Sequence, residues 1–164
     1  IQRITNNKAM RKQKAKKRYL APDPVYGDPL VTRFVNNLMI GGKKSTAYTS
    51  FYESMERIKK STNEEGYEIW KKAMDNAMPA VEVKSRRIGG ATFQIPTPIR
   101  EDRKIFMTIR WLIQYSRKRN GRSMGDKLAA ELIAASKGEG AAVKRKEDTH
   151  KMAEANKAFS HFKV

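Results

Sequence analysis

The sequence predicts a mainly α-helical fold: a six-helix domain with a β-hairpin inserted between helices three and four, plus a basic N-terminal arm. Two patterns carry that expectation. Apolar residues recur every three to four positions through most of the chain. The period drops to two only between Ala80 and Pro96, around Gly89-Gly90. A third observation bears on function: the excess positive charge is confined to two blocks.

Residues 1–27 read as the arm. Basic residues dominate to Arg18, and Pro22, Pro24 and Gly27 rule out a long helix. Met10 followed by Arg-Lys-Gln-Lys resembles a natural start, so residues 1–9 are read as an extension. Residues 28–164 are read as a single helical domain. Its first helix begins with Asp28 as N-cap and Pro29 at the first helical position. Leu30, Val31, Phe34, Val35 and Leu38 form its apolar stripe, and Gly41-Gly42 stops it. The second helix runs from about Lys44 to Lys60, burying Tyr48, Phe51, Tyr52, Met55 and Ile58. The third runs from about Asn63 to Met78, with Glu64 and Glu65 in its first turn and Ile69, Trp70, Ala73, Met74 and Ala77 inward. The hairpin covers about 79–97, with Gly89-Gly90 as its turn. A lone hairpin is marginal in water, so it is expected to project from the helices. The fourth helix spans about Glu101 to Arg119 and ends at Asn120-Gly121. The fifth spans about Ser123 to Lys137, with Leu128, Leu132, Ile133 and Ala135 inward, and Gly138 and Gly140 break it. The sixth spans about Ala142 to Phe162, with Met152, Ala155, Phe159 and Phe162 on its buried face.

The chain has 164 residues, a net charge of +18 and no Cys. The missing Cys excludes thiolate nucleophiles, Cys-based zinc sites and iron–sulfur clusters. So large a charge repels itself unless a polyanion surrounds it. No run of residues is apolar enough to span a bilayer, so a membrane partner is set aside. Nothing apolar follows the basic start, which argues against a secretory signal. Nor does the almost continuous charge from Arg11 to Arg18 form the amphipathic face of a transit peptide.

The charge is segregated. Residues 1–22 hold eight Lys/Arg and no acid, and residues 83–122 hold eleven Lys/Arg and two acids, whereas residues 23–82 are close to neutral. A solvated surface intersperses both signs, so segregation reads as binding surface. On the fourth helix Arg103, Arg110 and Arg117 fall on one line, flanked by Arg100, Lys104 and Lys118, with Ile105, Ile109 and Leu112 opposite. Arg119 and Arg122 continue the charge past the helix end. Trp111 falls toward the basic side, under the arginines or available to stack on a base. Lys84, Arg86 and Arg87 precede the hairpin tip, where Gly89 and Gly90 permit close backbone approach. Arg11, Lys12, Lys14, Lys16, Lys17 and Arg18 cannot pack a core and await an anion. Lys144, Arg145 and Lys146 open the sixth helix, where cations oppose the helix dipole unless an anion sits nearby.

Catalytic groups fare badly. His150 and His161 stand about three turns apart, and neither has a carboxylate at metal-ligand spacing. Gly89-Gly90 and Gly41-Gly42-Lys43-Lys44 lack the phosphate-loop spacing. The expectation is a protein that is not an enzyme and carries no metal or cofactor.

Three stretches are family-like. Asp28-Pro-Leu-Val-Thr-Arg-Phe-Val-Asn-Asn-Leu-Met with Gly42-Lys-Lys-Ser, Glu82-Val-Lys-Ser-Arg-Arg-Ile-Gly-Gly-Ala-Thr-Phe-Gln-Ile-Pro, and Lys146-Glu-Asp-Thr-His-Lys-Met-Ala-Glu-Ala-Asn-Lys-Ala-Phe resemble, in order, the signature, hairpin and closing helix of the bacterial-type small-subunit ribosomal protein S-seven family. The resemblance covers roughly residues 10–164. It implies a structural constituent of the small ribosomal subunit, in the cytoplasm or in an organellar ribosome. It implies binding to the 3′ major (head) domain of 16S-type ribosomal RNA, nucleation of head assembly, and a place near the exit-site tRNA and the mRNA path. Neighbouring small-subunit proteins are the further partners. Arg86, Arg87, Gly89 and Gly90 map to the tRNA-proximal hairpin, and Arg33, Asn37, Lys43 and Lys44 to an RNA surface on the first helix. The rival reading is an architectural protein of double-stranded nucleic acid, which the same charge logic would serve.

Overall fold

Asp28 starts the first helix as expected. Its Oδ1 accepts the Leu30 N–H at 2.7 Å, satisfying one of the donors a helix leaves open at its amino end. The computed structural model describes residues 18–162. They fall into two compact units, one ending at Arg33 and one beginning at Phe34. In the first, Asp23 organises a turn: its Oδ2 accepts the N–H groups of Val25 and Tyr26 at 3.1 and 2.9 Å. The arm cations Arg11, Lys12, Lys14, Lys16 and Lys17 lie outside the described residues, as do the side chains of His161 and Phe162. Arg18 is exposed.

The order is α1 (Pro29–Leu38), α2 (Lys44–Thr62), α3 (Gly66–Ala77), β1 (Val81–Ile88), β2 (Ala91–Pro98), α4 (Glu101–Lys118), α5 (Met124–Ser136), α6 (Ala141–Ala155) and a 3-10 helix (Lys157–Phe162). The six helices and the inserted hairpin match the expected class. Helix α5 is the hub, packing against α2, α3, α4 and α6. Beside it Phe34, Phe51 and Trp70 form a buried aromatic cluster, with ring centroids 5.6–5.9 Å apart, in the tilted and edge-on geometries that aromatic quadrupoles favour. Helices α2 and α3 approach so closely that a Cβ on Gly66 would lie 2.5 Å from the Met55 carbonyl oxygen.

One buried carboxylate ties three helices together. Glu131 of α5 is fully buried. Its Oε2 accepts the Arg119 Nε–H at 2.5 Å just past α4, and its Oε1 accepts the Ala142 N–H at 3.0 Å in the first turn of α6. A second link runs through Asn76 of α3. Its amide donates to the Ala135 and Ser136 carbonyls at the end of α5, and its own carbonyl accepts from Lys146 of α6. Ser123 and Asp126 form a reciprocal capping box at the start of α5.

Two expectations need correction. Helix α3 begins at Gly66, not Asn63, because Asn63 adopts a left-handed conformation (φ 56°) that closes α2. Glu64 and Glu65 therefore precede the helix and pair with Lys72 and Lys59. Helix six stops at Ala155, and the chain tightens into the 3-10 turn. This breaks the register used to place Met152 and Ala155 inward. Both are exposed, and Ala142, Val143, Thr149 and Ala153 are buried instead.

Glu131→Ala should destabilise the fold by about 3 kcal/mol, since it strands a buried N–H and a half-buried guanidinium. Urea unfolding followed by circular dichroism measures this. Gly66→Ala should cost roughly 1–3 kcal/mol by overpacking against rigid backbone.

Candidate nucleic-acid interface

Helix α4 builds the interface by splitting its circumference. Thr108, Ile109, Trp111, Leu112, Ile113 and Ser116 are buried, and Arg103, Arg110 and Arg117 stand on the exposed side. At seven-residue spacing these arginines lie about 10 Å apart along the axis. The apolar back holds the cations in a fixed row, which a flexible tail could not do. Of the two roles offered for Trp111, the structure agrees with packing under the arginines and not with an open stacking face. Trp111 is 9% exposed, because the buried arc is wider than the Ile105–Ile109–Leu112 line suggests. The aromatic ring that does reach the basic side is Phe106, which is 36% exposed.

The row is anchored at both ends. At one end Arg103 Nε meets Glu82 Oε2 of β1 at 2.7 Å, and Lys84 Nζ meets Glu82 Oε1 at 3.2 Å. At the other, Arg117 donates to the Leu38 carbonyl at the end of α1, at 3.1 Å. Lys104 is held by Glu101 and Arg119 by Glu131. Arg110 has no acidic partner among the described residues. Burial alone would raise the Glu82 carboxyl, but the hydrogen bonds and charges of Arg103 and Lys84 outweigh it and hold the carboxyl below its ordinary value of 4.5.

The hairpin carries charge on both faces. The register pairs Arg86 with Phe93 and Arg87 with Thr92, so these neighbours emerge on opposite sides of the ribbon. Gly89 and Gly90 both have positive φ, 57° and 90°, as a two-residue hairpin turn of the mirror-image type requires. The ribbon is braced at its base and again nearer its tip. Phe93 packs on Phe159 at 5.1 Å, and the Ala80 N–H donates to His150 Nε2 at 3.1 Å. Residues 84–87 and 89–92 are exposed. The expected projection is therefore limited to the exposed tip, because Phe93, the partner of Arg86, is held by Phe159.

The remaining candidates are scattered. Lys43, Lys44, Arg100 and Arg122 are exposed, while Asn37 and Arg33 are half-buried. Lys44 lies over the Tyr48 ring and Lys118 over the Tyr115 ring. Lys144 and Arg145 are exposed, and Lys146 turns inward to Asn76. Glu131 accepts the Ala142 N–H at the start of the same helix, α6. The sequence reasoning missed Glu131 altogether, since a lone acid inside an apolar stripe carries no marker of burial. Among the described residues no group of three His, Asp or Glu could hold a metal. No described helix is long and apolar enough to cross a membrane.

Comparison with known proteins agrees with this architecture. A family model described as ribosomal protein S7p/S5e matches residues 10–157. Among similar proteins, the small ribosomal subunit protein uS7 of Flavobacterium johnsoniae is 63% identical over 157 residues, covering 94% of this chain and 99% of the relative. The uS7 proteins of Cytophaga hutchinsonii and Porphyromonas gingivalis are each 60% identical, with the same shares covered.

The depressed carboxyl makes the Glu82 cluster pH-dependent. Its stabilising effect is complete above 4.5 and is lost as pH falls through the lower folded value. Glu82→Gln should therefore lose less stability than the parent between pH 7 and pH 3, read by thermal unfolding. Identical pH dependence in the two proteins would refute the cluster's role.

Proposed function

The chain belongs to the ribosomal protein S7p/S5e family, and from that premise we propose that it clamps the 3′ major (head) domain of small-subunit ribosomal RNA. It is a structural protein of the small ribosomal subunit and not an enzyme. The finer reading is that it nucleates folding of the head and lies near the exit-site tRNA and the mRNA path.

The observation that carries this reading is the arginine row of α4, fixed by a buried apolar back. A row of cations at set spacing matches a phosphate backbone by shape, and each phosphate neutralised releases condensed counterions. Duplex RNA hides its base edges in a deep, narrow major groove. A protein of this kind selects a folded RNA by the placement of its phosphates and by its irregular elements. The hairpin supports the second half of the reading. A two-stranded ribbon with Arg86 on one face and Arg87 on the other suits a position between two RNA strands, where a helix would be too wide. Arg11, Lys12, Lys14, Lys16, Lys17 and Arg18 extend the footprint as an arm that threads between RNA helices. Neighbouring small-subunit proteins complete the partners.

The test is equilibrium binding to a transcript of the head domain as a function of salt. Replacing Arg110 and Arg117 with Gln should flatten the slope of log K against log salt by about 0.7–0.9 for each phosphate left without its cation, while circular dichroism stays unchanged. An unchanged slope would remove α4 from the RNA-facing surface. Equal affinity for duplex DNA at physiological salt would favour a general architectural binder instead.

A further inference from the structure

The row of arginines on α4 borders a half-open cavity of about 530 Å³ that the electrostatic reading leaves without a purpose. Its lining is Asn37 from the end of α1, and Phe106, Arg110, Ile113, Gln114, Arg117 and Lys118 from α4. A surface that met only phosphates would need cations and nothing more. This one places an exposed aromatic ring, an aliphatic wall and two amide side chains directly among the cations. The volume falls within the range of small-molecule sites, roughly 300–1,000 Å³, and so accommodates one nucleoside.

We propose that this cavity receives a single unstacked adenine, extruded from a bulge or junction of the bound RNA. Phe106 supplies the stacking face. It lies one helical turn before Arg110, whose guanidinium is also a planar partner for a base. Gln114 stands two turns beyond Phe106, where its amide meets the base edge. An amide paired with adenine accepts from N6–H and donates to N7, and the two-ring purine offers Phe106 a wider stacking face than a pyrimidine does. Arg117 and Lys118 lie at the far end of the cavity and take the phosphate of the extruded nucleotide. The site explains why α4 exposes Phe106 while burying Trp111: an outward ring beside three cations serves a base and not the core. It also gives a helix that otherwise reads only backbone a means of fixing its register on the RNA.

The inference rests on the nucleic-acid reading above, and its test separates the two. Two RNA duplexes of equal length are compared, one fully paired and one with a single bulged adenine carrying 2-aminopurine as a reporter. The parent protein should bind the bulged duplex about 5- to 100-fold more tightly, the range expected from stacking one base. Phe106→Leu should abolish that preference while leaving affinity for the paired duplex within twofold. Phe106→Trp should retain it, and Gln114→Ala should weaken binding of bulged adenine while leaving the paired duplex unaffected. Equal binding of both duplexes by the parent, or a preference that survives Phe106→Leu, would overturn the adenine site and leave the electrostatic surface standing. Failure to bind either duplex while the head-domain transcript still binds would overturn the adenine site alone, and failure to bind the transcript as well would overturn both.

Discussion

The carboxylate of Glu131 sits where the end of α4, the middle of α5 and the start of α6 meet, and the arrangement of all three follows from it. A fully buried carboxylate is costly unless its oxygens are engaged. Here one oxygen holds Arg119 and the other holds the Ala142 N–H. The second bond places a negative charge at the positive end of the α6 dipole. That interaction offsets the Lys144–Lys146 cluster in the same turn. The first bond pins the chain just past the end of α4 to α5. Helix α6 in turn braces the base of the hairpin through His150, and the following turn braces its outer half through Phe159. Core, row and ribbon thus share one electrostatic junction.

A chain with a net charge of +18 must keep its cations from destabilising its own fold. The structure does so selectively. Arg57 is paired with Asp126 beside the α5 capping box, Arg103 and Lys84 with Glu82, Lys104 with Glu101, and Arg119 with Glu131. All but Lys104–Glu101, which lies within α4, stand where elements join. Arg110 stands in the middle of the row with no acid beside it among the described residues. Its charge faces outward, where a phosphate backbone would complete it. The acids mostly hold the joints, and the α4 row keeps an open cation at its centre.

Much of the fold was legible in the sequence because helical and strand periodicity are local properties. The Asp28-Pro29 start, the Ser123 start and the Gly89-Gly90 turn each rest on the chemistry of two or three adjacent residues, and each stands where the pattern placed it. The errors fall where a local pattern met a long-range constraint. Asn63 closes α2 by adopting positive φ rather than opening α3. Met152 and Ala155 were carried inward by assuming that α6 runs unbroken to Phe162, but the helix yields to a 3-10 turn that brings Phe159 onto Phe93. The helical wheel of α4 left Trp111 either under the arginines or open to a base. The buried arc of the helix is wide enough to take in Trp111.

The sequence by itself determined the element order, the segregation of charge and the family resemblance, because each is written in residue type and spacing along one dimension. The tertiary structure decided which cations remain open, which aromatic ring faces the arginines, and where the buried charge sits. Those depend on distances between residues far apart in sequence: Glu82 and Arg103, Leu38 and Arg117, Glu131 and Ala142. A carboxylate looks the same in sequence whether it is solvated or sealed between helices. Only packing excludes water from Glu131, and only packing leaves Arg110 facing it.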